Sequence, residues 1–281
     1  MLGALTGDIV GSIYEWNNIK TTVFPLFQDH CRFTDDTVLT VALAEAIMSG
    51  EPYAQVMRRY YRSYPEAGYG KNFARWAASE DAAPYDSWGN GSAMRIAPAG
   101  WAFDSLDEVL QKAKEYSLPT HGHPEGVRGA QAAAAAIYLA RTGATKEQMR
   151  SFIAGRFGYD LSRDCDDIRP DYRFDVSCQG TLPQALAAFF DSEDFESALR
   201  LAVSLGGDSD TLACITGGIA QAFYGGVPAY IAQRALGFLD EPLRRVTLEF
   251  EGRFVAGRGA DDGQIPPVPP FAKGGTLGHA H

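Results

Sequence analysis

The run Thr34-Asp35-Asp36-Thr37 places two adjacent carboxylates between hydroxyls, directly ahead of the apolar stretch Val38-Leu39-Thr40-Val41-Ala42-Leu43. A helix start accounts for one such acid as a cap. Two neighbouring aspartates cannot both fill that role, and they repel each other when desolvated together, a penalty that a cation removes. Gly206-Gly207-Asp208-Ser209-Asp210-Thr211, ahead of Leu212-Ala213-Cys214-Ile215, repeats the design. Its glycines loosen the backbone enough to turn both Asp208 and Asp210 inward. If the two helix starts meet, Thr34, Asp35, Asp36, Asp208, Asp210 and Thr211 form an all-oxygen donor set. Such a set suits magnesium, manganese or calcium rather than zinc or copper, and so many like charges favour two ions over one. The competing reading is two unrelated caps facing water.

Three further segments carry polar groups near glycine. Gly3, Gly7, Gly11 and Glu15 recur every four residues, so on a helix three positions without side chains and one carboxylate share a face against which something packs closely. Asp8, on the same segment, reads as a buried anchor for loop amides. Trp88-Gly89-Asn90-Gly91-Ser92 is a turn behind an aromatic residue, whose successive amides can cradle phosphate oxygens while Asn90 and Ser92 add polar contacts. Tight turns of this kind are also common as plain structure. His121-Gly122-His123-Pro124-Glu125-Gly126 offers imidazoles beside a tightly specified backbone; His123 could donate to phosphate or stack beneath a base, or be structural.

The elements that must position these groups are helical. Val38–Met48, Tyr53–Tyr61, Leu106–Tyr116, Gly129–Ala140, Leu182–Phe190, Phe195–Val203, Leu212–Tyr224 and Ile231–Leu239 all show apolar spacing of helical period, and no comparable set of alternating strands exists. Alanines from Ala130 to Ala136 suit a helix inside a bundle. Prolines such as Pro84, Pro98, Pro119, Pro124 and Pro183 punctuate helices without marking an interdomain linker. The expectation is one all-α domain over residues 1–256. Arg156 to Cys178, rich in aspartate, reads as a long loop or short helices over a cleft rim. From Gly257 to His281 a glycine- and proline-rich tail is expected to be loose.

The 281 residues carry a formal charge of -10, from 35 acidic and 25 basic side chains, with no basic patch. That disfavours capture of nucleic acid or an anionic membrane. Cys31, Cys165, Cys178 and Cys214 are scattered, with no CxxC pair, which points to a reducing, cytoplasmic setting. No secretion signal or membrane span is visible, and a monomer is expected.

In order, Gly3-Ala4-Leu5-Thr6-Gly7-Asp8-Ile9-Val10-Gly11 with Glu15, Thr34-Asp35-Asp36-Thr37, Gly89-Asn90-Gly91-Ser92-Ala93-Met94-Arg95, His123-Pro124-Glu125-Gly126 and Gly206-Gly207-Asp208-Ser209-Asp210-Thr211 resemble the ADP-ribosylglycohydrolase family. Five pieces in family order, across residues 1 to about 250, make the likeness specific. It implies an all-helical domain holding two Mg2+ or Mn2+ ions in a cleft that accepts ADP-ribose. The implied reaction breaks the glycosidic bond joining ADP-ribose to a protein side chain or small acceptor. Under the resemblance, Thr34, Asp35 and Asp36 look like the first metal group, and Asp208, Asp210 and Thr211 like the second. Glu15 looks like the mobile carboxylate that moves the proton, with Asp36 or Asp35 as the alternative base. Trp88, Gly89, Asn90, Gly91, Ser92 and His123 look like the ligand cradle. No serine lies in a GxSxG elbow and no triad is visible, which disfavours a covalent hydrolase. Two rivals stay open: a metal-dependent hydrolase of another nucleotide-like substrate, and a non-catalytic protein that binds ADP-ribose.

Overall fold

The computed structural model describes residues 1–256; the tail expected from Gly257 lies outside them. The chain runs through α1 (Leu2–Gly11), α2 (Asp35–Ser49), α3 (Tyr53–Ser63), α4 (Lys71–Ala78), α5 (Gly91–Met94), α6 (Ala97–Ala102), α7 (Leu106–Ser117) and α8 (Pro124–Arg141). It continues through α9 (Lys146–Phe157), α10 (Cys165–Ile168), α11 (Cys178–Asp191), α12 (Phe195–Ser204), α13 (Ser209–Phe223), α14 (Ala229–Leu236) and α15 (Glu241–Phe250), and ends in a π-helical turn, Glu251–Val255. Among the described residues there are no strands, only isolated antiparallel bridges at Asp86–His121 and Gly89–Ser177. The fold is an all-α bundle.

Helix α13 is the central column, touching α1, α8, α11 and α12. Fourteen of its fifteen residues are buried, Ser209 to Ala222, which explains why Leu212 to Tyr224 is apolar on every side instead of along a stripe. Helix α8 lies against it, with Ala132 to Ala136 at 2% exposure or less. The alanine run thus sits inside the bundle, where small side chains let neighbouring helices approach.

The closest approach is between α1 and α13. A Cβ on Gly3 would lie 2.2 Å from the Gly217 carbonyl oxygen, one on Gly7 1.9 Å from that of Ala213, and one on Gly11 2.5 Å from the Asp210 Cα. The four-residue glycine repeat is a backbone-on-backbone seam. It ends at Gly11, and α1 ends with it, so Glu15 stands in the turn beyond the helix and not on its face.

Several helices escaped the periodicity reading. Helix α9 opens with a capping box, Thr145 and Gln148 bonding reciprocally, and α15 opens on Asp240 with a proline in its first turn. Both signals stand in the sequence. Pro183 does not break α11: capped by Ser177, that helix starts at Cys178 and carries the proline inside it, in its second turn. All four cysteines are buried free thiols. No described helix is long and apolar enough to cross a membrane.

Candidate active site

The starts of α2 and α13 meet. Helix α2 begins at Thr34, whose side chain accepts from the Asp36 amide, and α13 begins at Asp208. Gly206 and Gly207 hold φ of 71° and 72°, a left-handed pair that turns the chain before the helix and delivers both Asp208 and Asp210 to one cleft. That cleft, about 870 Å³, is lined by Glu15, Thr34, Asp35, Asp36, Asp208, Asp210 and Thr211 together. One carboxylate oxygen each from Glu15, Asp208 and Asp210 lies within 4.8 Å of the others.

Asp8 holds this arrangement from below. It is fully buried and accepts from the amide and hydroxyl of Thr34, at 2.9 and 2.7 Å, and from the amide and hydroxyl of Thr37. One carboxylate on α1 therefore ties down the first turn of α2. Burial pushes its carboxyl up, and the four bonds oppose that shift.

Crowding shows in the charges. Burial, then the neighbouring carboxylates, push Asp36 and Asp210 well above the ordinary range and Asp35 to about 8. Asp208 is raised by burial. Glu15, half-buried, is pulled up to about 7 by burial and then by the charge on Asp208, with Arg32 opposing. Asp36 Oδ1 is buried with no hydrogen-bond partner. A buried oxygen without a donor, in a set of carboxylates and hydroxyls lacking nitrogen or sulfur, fits a hard divalent cation. Asp208 and Asp210, with Glu15 beside them, bring oxygens close enough together to hold one.

Asn18, which sequence reasoning passed over, joins the two sides. Its carboxamide nitrogen donates to the carbonyls of Tyr14, Glu15 and Gly207, and its oxygen accepts from the Gly207 amide at 2.8 Å. The Glu15 turn is thereby pinned to the glycine pair that positions Asp208. The only trace in the sequence is an asparagine three residues after the glutamate, too common a spacing to stand out.

The expected ligand cradle is partly rearranged. Trp88, Gly89, Asn90 and Gly91 line the cleft, and Asn90 Nδ2 donates to Asp208 Oδ2 at 2.7 Å. Ser92 does not line it. That residue is fully buried, and its hydroxyl donates to the Gly126 carbonyl at 2.7 Å. His123 does not line it either; its Nδ1 accepts from the Glu125 amide and caps α8, while His121 takes the place in the cleft. Two amides of the proposed nest are already bonded, Gly89 N to Ser87 Oγ and Asn90 N to the Val176 carbonyl. At the rim, Trp16 and Phe174 stack with centroids 5.2 Å apart, so the long segment before Cys178 does reach over the cleft.

Residues 1–259 match the ADP-ribosylglycohydrolase family. The chain belongs to that family. It is similar to ADP-ribosylhydrolase ARH3 of Mus musculus, 24% identical across 89% of this chain and 91% of the relative. It is likewise similar to ADP-ribosylarginine hydrolase Tri1 of Pseudomonas putida, 28% identical across 80% and 69%. A solved structure described as an ADP-ribosylglycohydrolase-related protein complex superposes with a TM-score of 0.66 and 30% identity, covering 89% of this chain and 95% of that one. As an ADP-ribosylglycohydrolase the chain is a hydrolase of ADP-ribose linkages.

Proposed function

We propose that this ADP-ribosylglycohydrolase cleaves the glycosidic bond between ADP-ribose and a protein side chain or small acceptor, using a binuclear Mg2+ or Mn2+ site. The observation that carries this reading is the convergence of Thr34, Asp35 and Asp36 with Asp208, Asp210 and Thr211 around one cleft, beside Glu15. Thr34, Asp35, Asp36, Asp208, Asp210 and Thr211 would hold the two ions, which would offset the crowded negative charge and help to orient the distal ribose.

Of the carboxylates, Glu15 is the one suited to proton transfer. It is less buried than Asp36, Asp208 and Asp210 and stands in the turn beyond α1 facing the cleft, where a carboxylate can take a proton from water and return it to a leaving group. Asp36, the other candidate, has its free oxygen buried within the donor set, which suits a ligand better than a base. Asn90 fixes Asp208 from the ligand side of the cleft, and Trp88, half exposed, offers a flat face for a base.

The test is hydrolysis of arginine- and serine-linked ADP-ribose by the wild type and by Asp208→Ala plus Asp210→Ala, with and without Mg2+ and Mn2+. We expect metal-dependent release of ADP-ribose by the wild type and a loss of at least a hundredfold in the variant. Equal rates would remove the metal site from the mechanism, and phosphate release without free ADP-ribose would replace the substrate bond.

A further inference from the structure

Arg95 is among the largest fully buried side chains, at 1% exposure, and it also lines the cleft. Among the described residues no carboxylate lies within ion-pair distance of it. A guanidinium always carries its charge, and burying it without a counter-ion is costly unless it serves another group. Its Nη2 donates to Thr120 Oγ1 at 2.5 Å and lies 3.4 Å from His121 Nδ1, while its guanidinium faces the Tyr53 ring, 5.7 Å from the centroid. Thr120 Oγ1, which accepts from Arg95, lies 2.8 Å from the same Nδ1.

These contacts bear on where the imidazole proton resides. A guanidinium donates only, and a threonine hydroxyl that accepts from it still has its own hydrogen to give, for which Nδ1 at 2.8 Å is within reach. With the guanidinium and the hydroxyl both directed at it, Nδ1 is set to accept, which leaves the ring neutral with its proton on Nε2. The Nε2 edge faces the glycine loop: a Cβ on Gly91 would sit 3.1 Å from that atom and one on Gly89 3.8 Å. Burial and the Arg95 charge both hold the ring below its ordinary protonation range. The other groups against it, Tyr85 with its ring centroid 6.4 Å away and Asp86 through the backbone bridge, supply no hydrogen bond to the imidazole.

The loop gives this donor a purpose. Gly89 and Asn90 have spent their amides on Ser87 and Val176, so the loop keeps fewer amides for an anionic ligand, and a side-chain donor beside it adds to them. We infer that Arg95 is a positioning residue that, through Thr120, fixes His121 as a neutral Nε2–H donor for an oxygen of the diphosphate of bound ADP-ribose. The ligand identity rests on the function proposed above; the tautomer does not.

Two measurements separate these parts. Long-range proton–nitrogen correlation spectra of protein labelled with 15N-histidine should show His121 with bare Nδ1 and protonated Nε2, unchanged from pH 8 to 5.5. A protonated Nδ1, or an imidazole titrating between pH 6 and 7, would overturn the inference. ADP-ribose affinity, measured by calorimetry at saturating Mg2+, should fall roughly tenfold in Thr120→Val and in Arg95→Met at pH 8, the worth of one hydrogen bond to a charged group. Relative to wild type the loss should shrink toward pH 5.5, where a released ring protonates, and His121→Gln should recover part of the loss seen in His121→Ala. Thr120→Val preserves shape if Arg95→Met does not fold. Wild-type affinity in a folded variant at every pH would overturn the role. If the wild type itself does not bind ADP-ribose, the substrate reading fails and the ligand role with it, while the spectra still decide the tautomer.

Discussion

The backbone of Gly7 lies against that of Ala213 so closely that a Cβ on Gly7 would sit 1.9 Å from the Ala213 carbonyl oxygen. The next residue, Asp8, ties the start of α2, and one turn along the seam lies Gly11, whose own Cβ would collide with Asp210. Absence of a side chain at Gly7 is therefore a condition for the two acidic helix starts to meet. Gly7→Ala should destabilise the protein by about 3 kcal/mol, since backbone cannot yield as a side chain would. Urea unfolding checks this, with Gly252→Ala, where nothing lies within 4 Å, expected to match wild type.

Asn18 should matter to rate more than to stability. Its carboxamide holds the Glu15 turn to Gly207 from an exposed position, so removing it frees the carboxylate without opening the core. Asn18→Ala should lower kcat roughly tenfold, in the range seen for outer-shell partners, while the melting temperature moves by only a few degrees. An unchanged kcat would mean that the turn holds itself.

Metal and pH should act on stability together. Asp35 is raised to about 8, and Asp36, Asp208 and Asp210 are also raised, from ordinary values near 3.8. A carboxyl raised in the folded state binds its proton more tightly there than in the unfolded chain. The stability it contributes is complete below about pH 4 and is lost as pH rises through the folded value. Metal-free protein should therefore become less stable between pH 5 and 8. Mg2+ or Mn2+ should raise the melting temperature, and by more at pH 8 than at pH 5.5, because the ions bind the deprotonated set. Thermal scans in chelator and in metal test both; a metal shift independent of pH would contradict the site.

Glu15→Gln keeps the shape of the side chain and removes its proton chemistry. We expect kcat to fall by about a hundredfold to ten-thousandfold, with ADP-ribose affinity within a few-fold of wild type, the pattern of a group acting in the transition state. Equal losses in affinity and rate would assign Glu15 to binding the ions instead.

Local chemistry was legible from residue order. Two acids beside hydroxyls at the head of an apolar helix, written twice, define an oxygen-rich donor set wherever they stand, and helical periodicity or an alanine run depends only on neighbours within two turns. The glycine repeat likewise announced a close approach. What it approached, and which polar groups remain free to act, depended on residues far away in the chain. His121 faces the cleft and His123 caps a helix because of where α8 begins; Ser92 is turned inward by Gly126; the amides of Gly89 and Asn90 are claimed by Ser87 and Val176. Glu15 reaches Asp208 only because α1 stops at Gly11 and Asn18 clasps the turn that follows. A side chain's type is written in its codon, but its availability is what remains after every buried donor and acceptor nearby has found a partner, and only packing settles that.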